Sequence, residues 1–308
     1  MREFKIDFNK TLKFALIAYA VIFLAGTITA IFGGVNLDIN FTGGTRASYS
    51  YTGEIKQADF EKIVKDTVKK EFSLSNSTSL AGDTKTFDIA LADKEALGAE
   101  TQEALTKALQ EKFKDNKIEL YSSNSVSPTM AGTFFLKSMV AIIITAVLVV
   151  VYVSIRFRKI GGVSAALTAL VALVFDVLIT FFTCVLFRLQ IDLNFIAVVL
   201  TMLGYSLNDT IVIYDRIREN ERLNPDMEIG SLVNLSVNKV LIRNIVTSVT
   251  TFLAVMTIVV VSEIYGLTSL RTFAIPMAFG LVSGGISSVF VSGPLWVIWK
   301  RFKASKAK

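Results

Sequence analysis

The chain has 308 residues, of which 52% are hydrophobic and only 19% are charged. A soluble domain carries more charge and fewer long apolar runs, so this composition indicates a membrane protein. One cysteine and no histidine exclude a disulfide framework, a cysteine-built metal site and the commonest catalytic base. The net charge is +6, and the basic residues lie beside apolar blocks, where membrane topology accounts for them better than nucleic-acid binding.

Six apolar blocks are long enough to cross a bilayer, which takes about 20 helical residues. We predict the spans at residues 12–32, 138–155, 160–187, 193–214, 245–262 and 273–299. The first block is longer than the apolar region of a usual signal peptide, and no small-residue cleavage site follows it. We therefore interpret the first block as a membrane anchor that stays with the protein.

Lys and Arg predict how the spans are oriented. They concentrate before the first span, after the second and fourth spans, and at the C-terminus. Because cytoplasmic loops carry an excess of Lys and Arg, both termini are expected in the cytoplasm of a bacterial inner-membrane protein. The expected regions are a cytoplasmic N-terminus and first span (1–33), an extracytoplasmic domain (34–136), a helical bundle (137–299) and a basic cytoplasmic tail (300–308).

Residues 227–244, before the fifth span, carry an amphipathic pattern. Leu232, Val233, Val237, Val240 and Leu241 fall on one helical face. The pattern fits either an interfacial helix on the cytoplasmic side or the start of a bent fifth span.

The long loop after the first span has mixed charge, as a folded domain does. Periodicity predicts a strand at 46–51, a helix at 57–72, a hairpin of strands 78–80 and 86–92 around a turn at 81–83, a helix at 100–113 and a strand at 117–123. The order βαββαβ predicts an α+β ferredoxin-like sandwich between the first and second spans.

Two aspartates lie within the apolar spans, where a charge costs about 2.5–3.5 kcal/mol at the bilayer centre. Asp209 lies near the cytoplasmic end of span four, next to Asn208, and Asp176 lies near the middle of span three. Arg243 lies at the cytoplasmic mouth of span five and is followed by Thr247, and the Arg243 side chain is expected to reach toward the depth of Asp209. A carboxylate near an arginine in a site that water enters can load and release a proton. The alternative is a permanent ion pair that only locks the bundle.

Span six carries small residues at four-residue spacing, among them Gly280, Gly284 and Ser288. Small residues on one face let helices approach closely, so we predict a helix-packing seam within or between subunits. Elsewhere, Gly43 and Gly44 are expected to form a tight turn with positive φ. The chain has no phosphate-binding loop and no Ser–His or Cys–His pair. We therefore expect no enzymatic activity, no cofactor and no metal, with energy coming from an ion gradient or a partner.

Two motifs resemble those of SecF, a family of bacterial protein-export membrane proteins. Residues 39–45 (INFTGGT) are similar to the family signature DFTGGT, with Phe41, Thr42, Gly43 and Gly44 in its conserved positions. Residues 204–220 (GYSLNDTIVIYDRIREN) match a second, longer signature. Shorter elements at 176–180, 191–193 and 243–248 follow the expected order. The chain departs from the family at Asn40, usually Asp, and at Phe175, usually His.

The resemblance implies membership of the RND superfamily and a six-span partner, SecD. Together the two would assist the SecYEG channel, moving secreted proteins outward late in translocation and using the proton-motive force. The essential membrane aspartate of the family corresponds to Asp209, and its span-five arginine to Arg243. Two alternatives remain open: half of an RND-type exporter of lipids or small solutes, and a passive translocon scaffold without ion coupling.

Overall fold

Long helices dominate the fold. The computed structural model describes residues 6–68, 72–78, 85–91 and 98–306. In chain order the helices and strands are α1 (Phe8–Gly33), α2 (Ile39–Thr42), β1 (Gly44–Tyr51), α3 (Gln57–Val68), β2 (Ser73–Thr78), β3 (Lys85–Leu91), α4 (Ala99–Lys112), β4 (Glu119–Val126), α5 (Pro128–Arg156), α6 (Gly162–Leu186), α7 (Leu193–Leu223), α8 (Ile229–Ile264), α9 (Thr268–Ser287) and α10 (Gly293–Lys306). A π-helical turn at Ser288–Ser292 joins α9 to α10.

Six of these helical segments are long and apolar enough to cross a membrane: α1, α5, α6, α7, α8 and the continuous run from α9 to α10. The prediction of six spans is therefore confirmed, and the chain is a multi-pass membrane protein.

Several helices extend beyond their apolar blocks because polar groups stabilise their ends. α5 begins at Pro128 rather than at 138, since the Ser127 hydroxyl accepts a hydrogen bond from the Met130 amide and proline suits the first turn. The loop between α1 and α5 accordingly ends at Ser127. α7 continues to Leu223, past the predicted end at 214, and Asp215 in this extension pairs with Arg156 at 3.0 Å.

The amphipathic segment before the fifth span is not a separate interfacial helix. α8 runs without interruption from Ile229 to Ile264, so this segment is the start of the fifth spanning helix. Leu232, Val233 and Val237 are buried in the same apolar core as α6 and α7. Packing against the bundle, rather than contact with a membrane surface, thus accounts for its apolar face.

The loop between α1 and α5 contains a four-stranded antiparallel sheet in the order β2-β3-β1-β4. The order of its strands and long helices is βαββαβ, as the periodicity predicted. The first hairpin strand covers Ser73–Thr78 instead of 78–80. Residues 79–84, including the predicted turn at 81–83, lie outside the described residues, as do 69–71 and 92–97.

The sheet and the bundle have separate apolar cores. In the sheet domain, α3 and α4 cover one face, and the stacked rings of Phe60 and Phe87, 4.1 Å apart, lie at the centre with Tyr49 and Leu105. In the bundle, α9 packs against α6, α7 and α8, which places α9 among the inner helices. The polar groups described next lie where α6, α7 and α9 meet.

Candidate site of two buried carboxylates

Asp176 lies in α6 with 1% of its surface exposed. Three serine hydroxyls donate to its carboxylate: Ser206 of α7 at 2.6 Å, Ser283 of α9 at 2.6 Å and Ser287 of α9 at 2.9 Å. No Lys or Arg among the described residues forms an ion pair with Asp176. The carboxylate is thus stabilised by hydroxyl dipoles from two neighbouring helices rather than by a fixed cation.

Aromatic residues close the side of this site that faces α1. The Tyr19 hydroxyl lies 3.1 Å from the Ser283 hydroxyl, so α1 contributes to the network around Asp176. Phe175 packs against Tyr19 with ring centroids 5.0 Å apart and against Phe23 at 5.5 Å. Phe175, at the position where the resemblance implies a histidine, therefore closes this side with an apolar ring and supplies no titratable group next to Asp176.

Asp209 lies in α7 with 2% of its surface exposed. The Ser248 hydroxyl of α8 donates to its carboxylate at 3.3 Å. Arg243, one and a half turns earlier in α8, is exposed and forms no ion pair within 4.0 Å of any residue that the structure describes. The expected contact between Arg243 and Asp209 is therefore not formed in this conformation.

The two other predicted members of the site do not face either carboxylate. Asn208 is exposed on the outer side of α7, because one step along a helix turns a side chain by about 100° away from its neighbour Asp209. The Thr247 hydroxyl donates to the carbonyl of Arg243 in its own helix at 2.9 Å. The Tyr205 hydroxyl in turn donates to the Thr247 carbonyl at 3.3 Å, which joins α7 to α8.

Hydroxyl groups of α7 and α9 surround the part of α7 that carries Asp209. Ser206 and Asp209 lie one turn apart on α7, and the Ser206 hydroxyl binds Asp176. Ser288 lies 3.0 Å from the Thr210 hydroxyl and donates to the Ser206 carbonyl at 3.3 Å. A displacement of α7 relative to α6 and α8 would therefore change the surroundings of both carboxylates together, because Asp176 would lose Ser206 and Asp209 would lose Ser248.

The line of buried hydroxyls continues toward α10. The Tyr214 hydroxyl lies 2.7 Å from Thr168 and 2.8 Å from Ser292, and the Trp296 indole donates to Ser164 at 3.1 Å. Ser292 ends the π-helical turn, and such turns occur mostly as local insertions in helices, often at functional sites. The wider turn lets Ser288 and Ser292 both lie buried against α7.

Two glycines allow α9 to approach the site closely. A Cβ atom on Gly280 would lie 2.7 Å from the Thr180 hydroxyl, and one on Gly284 would lie 3.2 Å from the Ser206 hydroxyl. Ser288 continues the same face of the helix. The predicted seam thus lies within this chain, between α9 and the pair α6 and α7, and it brings Ser283 and Ser287 within reach of the carboxylate.

The motif of residues 41–44 lies away from the carboxylates, where α2 leads into β1. Gly43 and Gly44 have φ of +79° and +131°, a backbone region that favours glycine. A Cβ atom on Gly43 would lie 3.0 Å from the Cα atom of Pro128. Phe41 packs against the bundle core, and Thr42 donates from its hydroxyl to the Gly43 carbonyl at 3.0 Å. This motif therefore shapes the entry into the sheet.

Four residues around Asp176 were not among the predicted site residues: Ser206, Ser283 and Ser287, which donate to its carboxylate, and Tyr19, which contacts Ser283. A signal for the serines was present, since Ser283 and Ser287 repeat at i, i+4 in an apolar span and polar side chains in spans face the protein interior. Ser206 likewise precedes Asp209 by one turn. Tyr19 carried no such signal, because a lone tyrosine in the first span is compatible with many positions.

Comparison with known proteins identifies the family. The family model "Protein export membrane protein SecD/SecF, C-terminal" matches residues 105–302. The protein translocase subunit SecF of Sebaldella termitidis is 34% identical over 273 residues, covering 88% of this chain and 84% of the relative. SecF of Petrotoga mobilis is 32% identical over 308 residues, covering 98% and 99%.

A solved structure gives the same result for the fold. The crystal structure of SecDF from Thermus thermophilus, a translocon-associated membrane protein, superposes with a TM-score of 0.79 at 26% identity, covering 97% of this chain. This chain spans 39% of that SecDF chain, and 38% of the 30% identical SecDF of Bacillus subtilis. With six spanning helices, both motifs and matches along nearly its whole length, the chain belongs to the SecF family of protein translocase subunits.

Proposed function

We propose that this protein is a SecF subunit that works with SecD and the SecYEG channel, and that it uses the proton-motive force to assist late steps in the translocation of secretory proteins. The names of its relatives, translocase subunits SecF and SecDF, support the pathway. Its relatives also include SecDF chains of which it spans only 38–39%, and this supports a SecD-like partner for the remainder.

We also propose how the chain is oriented in the membrane. The Lys and Arg distribution favours both termini in the cytoplasm of a bacterial inner membrane and the domain between α1 and α5 outside it. The strand order β2-β3-β1-β4 with two helices on one face supports a ferredoxin-like fold for that domain. A domain of this size outside the membrane is placed to meet a secreted polypeptide as it emerges.

One observation favours ion coupling over a passive scaffold. Asp176 and Asp209 are both buried, and neither is paired with a cation among the described residues. A structural lock would be an ion pair that neutralises the carboxylate permanently. A carboxylate that has only hydroxyl partners in a bilayer is instead neutralised by a proton, which it gives up when water or a cation approaches.

The geometry suggests how proton binding changes the bundle. With a proton, one oxygen of Asp176 becomes a donor, so one of the three serine hydroxyls that donate to it must turn and accept instead. Without it, the carboxylate draws all three hydroxyls inward from α7 and α9. In the same cycle, a movement of Arg243 toward Asp209 would favour the ionised form of that residue.

The energy available is adequate for a conformational cycle. Moving one charge through 100 mV releases about 2.3 kcal/mol, a few times RT. This amount biases an equilibrium between two helix arrangements but does not unfold a stable domain in one step. Repeated small steps therefore suit assistance to translocation better than forced unfolding of the substrate.

The test is pulse-chase export of a secreted reporter in cells depleted of this protein and supplied with wild type, Asp209→Asn or Asp176→Asn. Thr201→Ala, on the exposed side of the same helix α7, is the matched control. Membrane levels and co-purification with SecD are measured in the same samples. We expect both aspartate variants to assemble normally and to slow export at least tenfold, with no change for the control.

Other results would count against the proposal. Export at the wild-type rate in both aspartate variants would show that neither carboxylate takes part in coupling. Loss of assembly together with export would favour the passive scaffold.

A further inference from the structure

The loop after α1 is bonded to the loop between α6 and α7. Leu37 and Ile191 form a parallel β-bridge. The Asp38 amide donates to the Ile191 carbonyl at 3.0 Å, and the Ile191 amide donates to the Asn36 carbonyl at 2.8 Å. The chain that enters the sheet domain is therefore joined by its backbone to the loop that precedes α7.

Side chains strengthen this connection. The Asp38 carboxylate is fully buried and forms an ion pair with Arg46 of β1. It also accepts from the Asn40 backbone amide at 2.8 Å and from the Asn40 side chain at 2.6 Å. Arg46 donates in addition to the Gln190 side chain at 3.0 Å. One arginine in the first strand thus holds both loops.

The connection continues into the helices of the bundle. Asp192, next to Ile191, caps α7 by accepting from the amides of Asn194 at 2.9 Å and Phe195 at 3.2 Å. The Thr272 hydroxyl of α9 donates to the same carboxylate at 3.3 Å. The starts of α7, which carries Asp209, and of α9, which carries two of the serines around Asp176, therefore meet at this point.

We propose that these contacts, formed by residues 36–38, Arg46 and residues 190–192 and called here the Asp38 junction, are a permanent strut that transmits movement of α7 and α9 to the sheet domain. This inference rests on the proposed function, since it needs a movement at the carboxylates to transmit. Asp38 and Arg46 are then positioning residues, which touch no proton-carrying group and act by keeping β1 fixed to the start of α7.

The burial of Asp38 favours a strut over a switch. Moving β1 away from the two loops would separate the Asp38 carboxylate from Arg46 and leave a buried charge without its partner, which is strongly unfavourable. Moving residues 190–192 away from residues 36–38 would break the two backbone hydrogen bonds of Ile191. The ion pair of Arg271 with Glu263 differs in this respect, because both of its side chains are nearly half exposed and water can replace either partner.

The first experiment separates transmission from proton movement. Asp38→Asn and wild type, each purified with SecD, are placed in vesicles with a pH-sensitive dye, and the proton flux that depends on Asp209 is compared with export in cells. We expect export to fall at least tenfold and proton flux to stay within twofold of wild type. Glu263→Gln, which removes an exposed ion pair of the bundle outside the junction, is the matched control and should change neither quantity.

The second experiment locks the junction and does not depend on the stability of Asp38→Asn. The double variant Leu37→Cys with Ile191→Cys places two cysteines at bridge partners, and the native Cys184 is buried. A strut that never opens should export at the same rate with the disulfide formed or reduced.

Each result decides one question. Loss of export on oxidation would show that the junction opens and would overturn the strut, as would normal export by Asp38→Asn. A parallel fall of export and flux in Asp38→Asn would assign it a merely structural role and also overturn the strut. Absence of any Asp209-dependent flux in wild type would instead overturn the proposed function, and the strut with it.

Discussion

The helices α5 and α9–α10 are both long and apolar enough to cross the membrane, but they differ in how much of their surface is buried inside the protein. Of the most apolar stretch of α5, 6% is buried inside the protein, against 61% for α9–α10. α5 presents large apolar side chains outward, such as Ile143 and Leu148, each more than 60% exposed. α9 and the turn after it present glycines and serines inward, including Gly284 and Ser283.

This difference follows from the solvent. Lipid tails are as apolar as leucine, so an outer helix gains nothing by turning its large apolar residues inward. Small residues allow close backbone contact, and polar side chains must find partners within the protein. The most hydrophobic helix is therefore the least buried, and the buried helix carries serines that bind Asp176.

Truncation of a leucine should show the largest difference in stability between the two helices. Leu281→Ala removes a fully buried side chain of α9, and the free energy of unfolding should fall by about 2–5 kcal/mol, because the cavity loses its packing contacts. Leu148→Ala, on the exposed face of α5, should change it by less than about 0.5 kcal/mol. Denaturant titration of the purified proteins in detergent measures both, and equal losses would contradict the comparison.

Loss of one hydroxyl should have the next largest effect. Ser283→Ala removes a hydrogen-bond partner of the buried Asp176 carboxyl group, and a buried polar group left without its partner costs about 1–3 kcal/mol. The control is Thr145→Ala in α5, whose hydroxyl donates only to the Ala141 carbonyl of its own helix at 2.9 Å. The same titration should show little change for this variant, and a loss as large as that of Ser283→Ala would argue against a special role for the serines.

A single added methyl group tests the close approach of α9. In Gly280→Ala the new Cβ would displace the Thr180 hydroxyl, which donates to the Asp176 carbonyl at 2.8 Å, so we expect a loss of about 1–3 kcal/mol. Gly132→Ala in α5 meets nothing within 4 Å and should stabilise by about 0.5–1 kcal/mol through helix propensity. Opposite signs in unfolding experiments are the expected result, and a gain for both would contradict the seam.

The smallest effect is expected at the exposed end of the bundle. Arg301 of α10 donates to Glu228 at 2.7 Å and, together with the backbone amides of Gly230 and Ser231, lowers the pKa of this carboxyl from 4.5 to about 2. A depressed pKa means that the contribution is present above about pH 4.5 and is lost as the pH falls toward 2. Both side chains are more than half exposed, so solvent screening limits the contribution of this ion pair to the free energy of unfolding to under about 1 kcal/mol.

Glu228→Gln should therefore cost little at pH 7, and its stability should vary less than that of wild type between pH 4.5 and 2. Unfolding transitions measured across this range in detergent provide the test. An effect at pH 7 as large as that of Leu281→Ala would show that exposed pairs matter as much as the inner contacts.

Local patterns in the sequence were sufficient for part of this description. The number of spans followed from block length, and the two aspartates stood out because ionisable residues are costly in a bilayer. The seam at Gly280 and Gly284 followed from small residues at helical spacing. The order of strands and helices in the sheet domain followed from periodicity, although β2 was placed several residues too late.

Other features depend on which helix lies beside which. Arg243 and Asp209 were expected to meet, but the structure brings Ser248 to Asp209 and leaves Arg243 exposed. The hydroxyl partners of the Asp176 carboxylate come from α7 and α9, and helix rotation about the long axis is not encoded in hydropathy when every side is apolar. The continuity of α8 likewise depended on burial of its first turns against the bundle.

The sequence by itself therefore determined that this protein crosses the membrane six times, that it belongs with the SecF proteins and that two carboxylates lie within the membrane. These properties arise from runs, spacings and motifs that are local in the chain. Only the tertiary structure decided that serines rather than a cation surround Asp176, and that Asp38 joins β1 to the start of α7. Such contacts connect residues far apart in sequence, and they exist only after the helices have packed.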